Sequence, residues 1–251
     1  MTLVQTEPTS IKIWSTAVSA VYVWDTKVRP VAPVEYEVTA NTFLYMPLKT
    51  NYTDYGTGST VDWNTWNGVW GCTIANGYLY IPREWYINNQ ARNQSWAWAK
   101  TISFWFKWVN NSGSNGWVDI MGYYADNTEG KLYMNADNWN IGFCDGNWMY
   151  SPTQTPQWQV SIPNPTTQRH LFCAVADTDA SKHYVYVDWV LASTINNVTA
   201  IFQWWWGRAF NTVKWSYTIG ININELIVDK GMFTADFISK YYKSNKGNYW
   251  L

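Results

Sequence analysis

Glu225 and Asp229 stand four residues apart in an apolar run, Ile223–Met232, that reads as a strand. Residues i, i+2 and i+4 of a strand share a face, so these two carboxylates are placed to point the same way. Retaining glycoside hydrolysis needs two carboxylates about 5 Å apart, one of them kept protonated. The strand-borne pattern for that chemistry is Glu-x-Asp-x-x-Glu with a bulge, and here Ile227 separates the two acids instead. The remaining glutamates, Glu7, Glu35, Glu37, Glu84 and Glu129, supply no second pair on a strand; Glu35 and Glu37 flank Tyr36 in a linker. His170 and His183 lie in neither a Gly-x-Ser-x-Gly nor a His-Glu-x-x-His context and read as strand histidines at a polar surface. Cys72, Cys144 and Cys173 are odd in number and widely spaced, so they signal neither a disulfide framework nor a zinc site. They read as small buried apolar side chains. No catalytic residue and no metal ligand is assigned.

Sugar recognition is better served. It needs aromatic rings to stack on apolar sugar faces and amide, carboxylate or guanidinium groups to bond hydroxyls. The densest loop material of that kind is Asp119–Asn127, Asp145–Tyr150 and Gln203–Arg208. Within it the candidate carbohydrate-binding residues are Tyr123, Tyr124, Asp126, Asn147, Tyr150 and Arg208. The competing reading is that these rings belong to a core or an interface.

The elements that must position such groups are strands. The chain has 251 residues, of which 14% are charged, against roughly 25% in a typical soluble domain. Asn, Thr, Ser, Gln and Tyr must therefore carry the surface, as in β-proteins. The 17 basic and 18 acidic residues balance to a net charge of −1, which rules out affinity won by neutralising phosphates or anionic lipid. No stretch approaches the roughly 20 apolar residues of a membrane helix, and Met1–Ser10 has no apolar signal core. The expectation is therefore neither nucleic-acid binding nor membrane insertion.

Ile11–Val18 and Val21–Val28 are two units of a ten-residue repeat, each a short strand, a turn and a second short strand. Two such units bury no core alone, so residues 1–33 read as an anchoring or oligomerising β appendage that ends in the linker Arg29–Pro33. From Asn41 onward strands follow one another. They are Phe43–Leu48, Tyr78–Ile81, Thr101–Val109, Val118–Tyr124, Lys131–Asn135, Asn140–Phe143, Arg169–Asp177, His183–Val187, Val190–Ser193, Tyr217–Ile223 and Glu225–Asp229. A long polar loop fills Asn51–Val69, and four prolines mark Pro152–Pro165 as irregular. One helix is expected, Ala235–Tyr242, with Thr234 as N-cap and Phe237, Ile238 and Tyr241 against the sandwich.

Tryptophan is anomalous, with 20 Trp beside 15 Gly. Asp188-Trp189 sits where a hairpin turn needs positive φ and normally takes Asp-Gly. Asp62-Trp63, Asn138-Trp139 and Asn147-Trp148 repeat the arrangement, while Trp14, Trp24, Trp215 and Trp250 lie in turn-like contexts. In one reading the aromatic surface is real. In the other, many of these codons are UGA decoded as glycine, as in some recoded bacteria and their viruses. Trp105, inside Thr101–Lys107, fits a buried strand under either.

Within a second domain of residues 34–251, Asn41–Leu251 resembles the concanavalin A-like, laminin-G-like jelly rolls of lectin modules, bacterial surface proteins and phage tail fibres. The resemblance rests on Thr42–Leu48 as an opening strand, Gly77–Pro82, the aromatic strand Thr101–Lys107 and the His183–Ala192 hairpin. Ile223–Met232 with the following helix, and the ending Asn248–Leu251, complete it. It implies an all-β antiparallel jelly-roll β-sandwich with one short C-terminal helix and the small N-terminal β appendage. It further implies a non-catalytic, lectin-like component of a virion or cell surface, whose partners are glycans or a host-surface receptor and other subunits, in a homo-oligomer. No cofactor is called for, though relatives allow a Ca2+ on loop oxygens, here Asp126–Glu129 or Asp177–Asp179. The alternatives are a purely structural filament or decoration subunit and a divergent glycoside hydrolase.

Overall fold

Thr101–Val109 is a nearly continuous buried run, as a strand covered on both faces must be. Ile102, Phe104, Phe106 and Trp108 point into one apolar layer, and Trp105 into another. Between Thr101 and Val109 every residue is buried or half-buried, so this strand lies at the centre of the fold. A computed structural model describes residues 35–48, 55, 72–75, 78–81, 97–109, 117–121, 131–135, 139–144, 158–198, 202–204, 208–211 and 220–246. It also describes the backbone of the short strands Val21–Val23, Thr26–Val28, Trp66–Gly68 and Ile87–Asn89.

The chain divides into two units, Met1–Pro33 and Val34–Leu251. In the first, Val21–Val23 pairs antiparallel with Thr26–Val28, the strand–turn–strand form expected of the second repeat. The first repeat lies outside the described residues. The second unit is an antiparallel β-sandwich. Its eight-stranded sheet runs Val190–Asn196, Lys182–Val187, His170–Asp177, Thr101–Val109, Gly220–Asp229, Tyr78–Ile81, Thr73–Ala75, with Thr42–Met46 also paired to Gly220–Asp229. The facing seven-stranded sheet runs Trp158–Ser161, Asn140–Cys144, Lys131–Asn135, Trp117–Met121, Arg208–Asn211, Ile87–Asn89, Trp66–Gly68. Phe202–Trp204 pairs separately with Ala97–Ala99.

Between the sheets, Phe104, Phe106, Trp108, Phe172, Ile221 and Leu226 from one side meet Ile120, Leu132, Met134, Ile141, Phe143 and Trp158 from the other. Burying each of these large side chains contributes about 1.5–3 kcal/mol. A second layer forms on the outer face of the eight-stranded sheet, where Trp105, Leu171, Cys173, Val175 and Ile227 are covered by the helix Ala235–Asn245. Thr234 caps that helix by accepting from the Phe237 amide at 3.2 Å. The buried helix residues are Ile238, Tyr241, Tyr242 and Asn245, so the apolar face extends one position beyond the expected set, and Tyr242 stacks on Trp105 at 5.5 Å.

Three expectations change. Tyr217–Ile223 and Glu225–Asp229 are not two strands: Gly220–Asp229 is continuous, with a bulge between Asn224 and Leu226 that absorbs the break in alternation. His170 and His183 are not surface residues. Both are buried, because they fall on the inner face of their strands beside Phe106 and Phe143. Trp158–Ser161, within the proline-marked stretch, and Trp66–Gly68, within the polar loop, are strands held by pairing rather than by residue propensity.

The hairpin between Val187 and Val190 turns through Asp188 (φ 51°) and Trp189 (φ 69°), and Trp139 also has positive φ (58°). The two consecutive left-handed residues are those of a type I′ turn. Trp14, Trp24, Trp63, Trp148, Trp215 and Trp250 lie outside the described residues. Trp189 is 41% exposed, with Lys243 over its ring at 4.4 Å, so little packing offsets the strain of its backbone. Trp189→Gly should therefore stabilise the domain. The left-handed penalty it removes is about 1–2 kcal/mol, against about 0.5–1 kcal/mol for an exposed cation–π contact. Urea unfolding reads the outcome: the midpoint should rise, and a fall would mean that the ring is worth more than the strain.

Candidate functional site

Glu225 and Asp229 point into the same layer, as their spacing suggests, but both are only 4% exposed and both are occupied. Glu225 accepts from the Tyr45 hydroxyl at 3.0 Å and from the Tyr241 hydroxyl. Asp229 accepts from Tyr36 Oη at 2.5 Å, Thr42 Oγ1 at 3.2 Å and the Gly231 amide at 2.6 Å. The rings of Tyr36 and Tyr45 lie 5.1 Å apart between the two acids. Carboxylates bonded this way on buried tyrosines fasten the helix and residues 36–46 to the sheet, and neither is open to a sugar.

The histidines are likewise engaged in packing. His170 Nδ1 lies 2.7 Å from Asp188 Oδ2, whose other oxygen accepts from the Leu171 amide at 3.0 Å, so the pair ties the hairpin turn back to the sheet. His183 Nδ1 accepts from Trp158 Nε1 at 3.0 Å, which assigns its hydrogen to Nε2 and joins the two sheets. Cys173 is buried, and burial pushes its thiol up to about 12. Asp177 spends one oxygen on the Ala180 amide at 3.0 Å, and no group of three or more His, Cys, Asp or Glu gathers among the described residues.

Of the loop residues selected for sugar contact, Tyr123, Tyr124, Asp126, Asn147 and Tyr150 lie outside the described residues. Arg208 opens the strand Arg208–Asn211, where it pairs with Asn88; its side chain is outside the description. Asp126–Glu129 falls outside as well.

A different surface combines rings with polar groups. On the eight-stranded sheet, the outer face continues past Trp105 and changes character. Register places Tyr80 opposite Asn222 and Asn222 opposite Lys107. Neighbours directly opposite across antiparallel strands have Cβ atoms about 5 Å apart. Arg169 precedes His170, whose partner is Phe106, and so enters the sheet beside Lys107. Its guanidinium lies over the Tyr78 ring at 4.8 Å and donates to Asn224 Oδ1 at 3.1 Å.

Gly220 shapes the other end of this surface. A Cβ there would fall 2.8 Å from Cε2 of Tyr80 and 3.0 Å from its Oη. The missing side chain lets the Tyr80 ring lie down along the sheet rather than stand away from it. Asn222 Oδ1, adjacent to that ring by register, is buried without a hydrogen-bond partner. Tyr78, Tyr80, Lys107, Arg169 and Asn222 are all half-buried. Sequence reading passed over them because it searched loops. The available signal was the alternation Tyr78-x-Tyr80 and Asn222-x-Asn224, polar or amphipathic side chains on one face of otherwise apolar strands.

No family model and no curated protein matches the sequence. In three dimensions the chain is similar to the receptor binding domain of botulinum neurotoxin D, with TM-score 0.60 and 11% identity over 82% of this chain and 53% of that one. It is similar also to the binding domain of botulinum neurotoxin DC in complex with SialylT (0.58, 12%, 81% and 51%). The DC binding domain in complex with rat synaptotagmin II gives 0.58 at 14% identity over the same shares. Likeness at such identity carries the fold alone, a β-rich sandwich, and the chain spans about half the length of these structures.

The acid–tyrosine layer makes stability fall in alkali. Burial, followed by the bond to Asp229, raises the Tyr36 hydroxyl above its ordinary range; burial and the charge of Glu225 do the same to Tyr45. A folded pKa above the unfolded one means the contribution is whole below the unfolded tyrosine value of about 10 and is lost as pH climbs beyond it. Melting temperature should hold on the neutral side and drop steeply above about pH 10. Tyr36→Phe and Tyr45→Phe should each flatten that drop, and an unchanged slope in both would place the alkaline sensitivity elsewhere.

Proposed function

We propose that this chain is a non-catalytic recognition module that binds glycans on the outer face of its eight-stranded sheet. The observation that carries the reading is the Tyr80 ring laid along the sheet over Gly220, on the same half-buried outer face as Asn222 and Lys107. A flat ring offers a stacking platform for the apolar face of a pyranose. The occupied state of Glu225 and Asp229 supports a role without hydrolysis. Similar structures add circumstantial support: one was solved with SialylT, and another is described by the dependence of botulinum neurotoxin type C entry on two ganglioside molecules. The concanavalin A-like, laminin-G-like resemblance fits the same role. In this reading Met1–Pro33 anchors or oligomerises the protein on a virion or cell surface, and the sandwich meets glycans or a host receptor. The loop set Tyr123, Tyr124, Asp126, Asn147, Tyr150 and Arg208 is a second proposed contact surface, and no cofactor is called on.

A glycan array probed with the wild-type chain and with Tyr80→Ala tests this. Binding that Tyr80→Ala lowers by tenfold or more is expected, since base–aromatic stacking, the nearest measured analogue, is worth about 1–3 kcal/mol per ring. Binding indifferent to Tyr80 but lost on substituting the loop set would move the site. Absence of any glycan binding would leave the structural-subunit reading.

The positive φ of Trp139 and Trp189 supports a second reading, of the chain's composition. We propose that Trp189 and other turn tryptophans are UGA codons decoded as glycine in the native source. Trp139 is the harder position for this idea, since its ring packs on Trp108 at 4.9 Å. A peptide mass spectrum of native-source protein across Tyr184–Ala192 should give glycine at position 189. Tryptophan there would end the recoding reading. The Tyr80 ring is the same in both cases.

A further inference from the structure

Both sheets of the sandwich end on the same side. Val190–Asn196 stands last in the eight-stranded sheet and Trp158–Ser161 last in the seven-stranded one. His183, which pairs with Ile195, accepts from Trp158 Nε1 at 3.0 Å, so the two end strands adjoin across the core. At the opposite ends stand Thr73–Ala75 and Trp66–Gly68, three residues each. Shortness is one way in which natural sheets blunt an edge; charge, proline and bulges are others. Val190–Asn196 runs for seven residues, has neither charge nor proline, and buries none of its side chains. Val190 and Leu191 are 54% and 48% exposed. Its one irregularity is Ala192, skipped where Val185 pairs with Ser193 and Tyr186 with Leu191. Beyond it, Ser193–Asn196 runs in unbroken register with residues 182–185. Among the described residues no strand pairs with its other side. The outward N–H and C=O groups there are a template for one more strand.

We propose that Val190–Asn196 pairs antiparallel with the same strand of a second copy of this chain, Thr194 opposite Thr194, joining two eight-stranded sheets into one. A row of alternating backbone donors and acceptors is met by a strand. A neutral edge gives a charged peptide no electrostatic hold, and a net charge of −1 per chain sets little repulsion between copies. Two-fold pairing also covers both open edges at once. Residues directly opposite each other share a face, which fixes the register. Ser193 and Ile195 lie on the inner face, by pairing with Val185 and by packing on the core, while Thr194 faces outward opposite Tyr184. Centring on Thr194 sets Ser193 opposite Ile195 of the second copy and makes a threonine–threonine pair between them. Centring nearer Val190 would run the Ala192 bulge through the new ladder. Each domain has one long open edge, so the assembly closes at two copies instead of growing into a filament. The two-fold axis stands perpendicular to the joined sheet, so both outer faces look the same way. The pairing does not depend on the glycan reading; where that reading holds, the dimer presents two sites to one surface.

Sedimentation of the full chain over a concentration series, with wild type, Thr194→Lys and Thr194→Glu, tests this. Wild type should dimerise reversibly. Each variant sets like charges opposite each other at the axis and should weaken the dimer about tenfold or more. An equimolar mixture of the two variants should restore it, because lysine then faces glutamate. Position 194 is exposed, and thermal melts verify that both variants fold. Amide exchange within Ser193–Asn196 should slow as wild-type concentration rises, a readout that needs no variant. A monomer at every concentration, or exchange that ignores concentration, overturns the proposal. So does an oligomer indifferent to both variants, which would belong to another surface such as Met1–Pro33. Weakening that the mixture does not reverse overturns the Thr194-centred register and the proposal with it.

Discussion

The bulge at Glu225 is the constraint on which most of the domain depends. A glutamate with φ of 46° in the middle of a central strand is an uncommon backbone state, worth about 1–3 kcal/mol of strain. What holds it is visible: its amide donates to Pro47 O at 3.2 Å, and its carboxylate accepts from Tyr45 and Tyr241. One acid thus ties together the sheet centre, the strand Thr42–Met46 and the C-terminal helix. The extra residue also shifts alternation along Gly220–Asp229. Before it, Ile221 and Ile223 face the inner core; after it, Leu226 and Val228 do. Without the bulge, one half of the strand would turn its apolar residues outward.

That shift divides the outer face of the eight-stranded sheet in two. Toward Asp229 it is apolar and acid–tyrosine bonded, closed by the helix and by residues 36–46. Toward Gly220 it carries Asn224, Asn222, Lys107, Tyr78 and Tyr80. Trp105, stacked on Tyr242, marks the border. On the half toward Gly220, antiparallel pairing sets the spacing of these side chains. Sites on strands are held more precisely than sites on loops.

The carboxylates and histidines illustrate how burial changes the meaning of a residue type. Glu225, Asp229, His170 and His183 are the groups a search for chemistry selects first. In the fold each is enclosed and bonded to a specific partner: tyrosines, a hairpin aspartate, a tryptophan from the facing sheet. Buried polar groups must be satisfied or they cost stability, so a bonded buried acid is as well explained by cohesion as by catalysis. Half-buried polar groups remain where alternation places them on the outer face of the sheet.

Local pattern alone determined the strand-rich class, the boundaries of Thr101–Val109, Tyr78–Ile81 and Lys131–Asn135, the Thr234-capped helix, and the left-handed turn at Asp188-Trp189. Each of these is set by neighbours a few residues away, through side-chain periodicity, capping or turn sterics. The short strands Trp66–Gly68, Trp158–Ser161 and Arg208–Asn211 escaped because three or four residues of mixed type pair only where a neighbouring strand is already in place. The surface of Tyr78, Tyr80, Lys107, Arg169 and Asn222 escaped for the same reason. These residues come from four segments between positions 78 and 222, and only the antiparallel register of the eight-stranded sheet sets them side by side. Sequence order fixes which face of its own strand a side chain takes; which side chain stands next to it is decided by pairing between segments far apart in the chain.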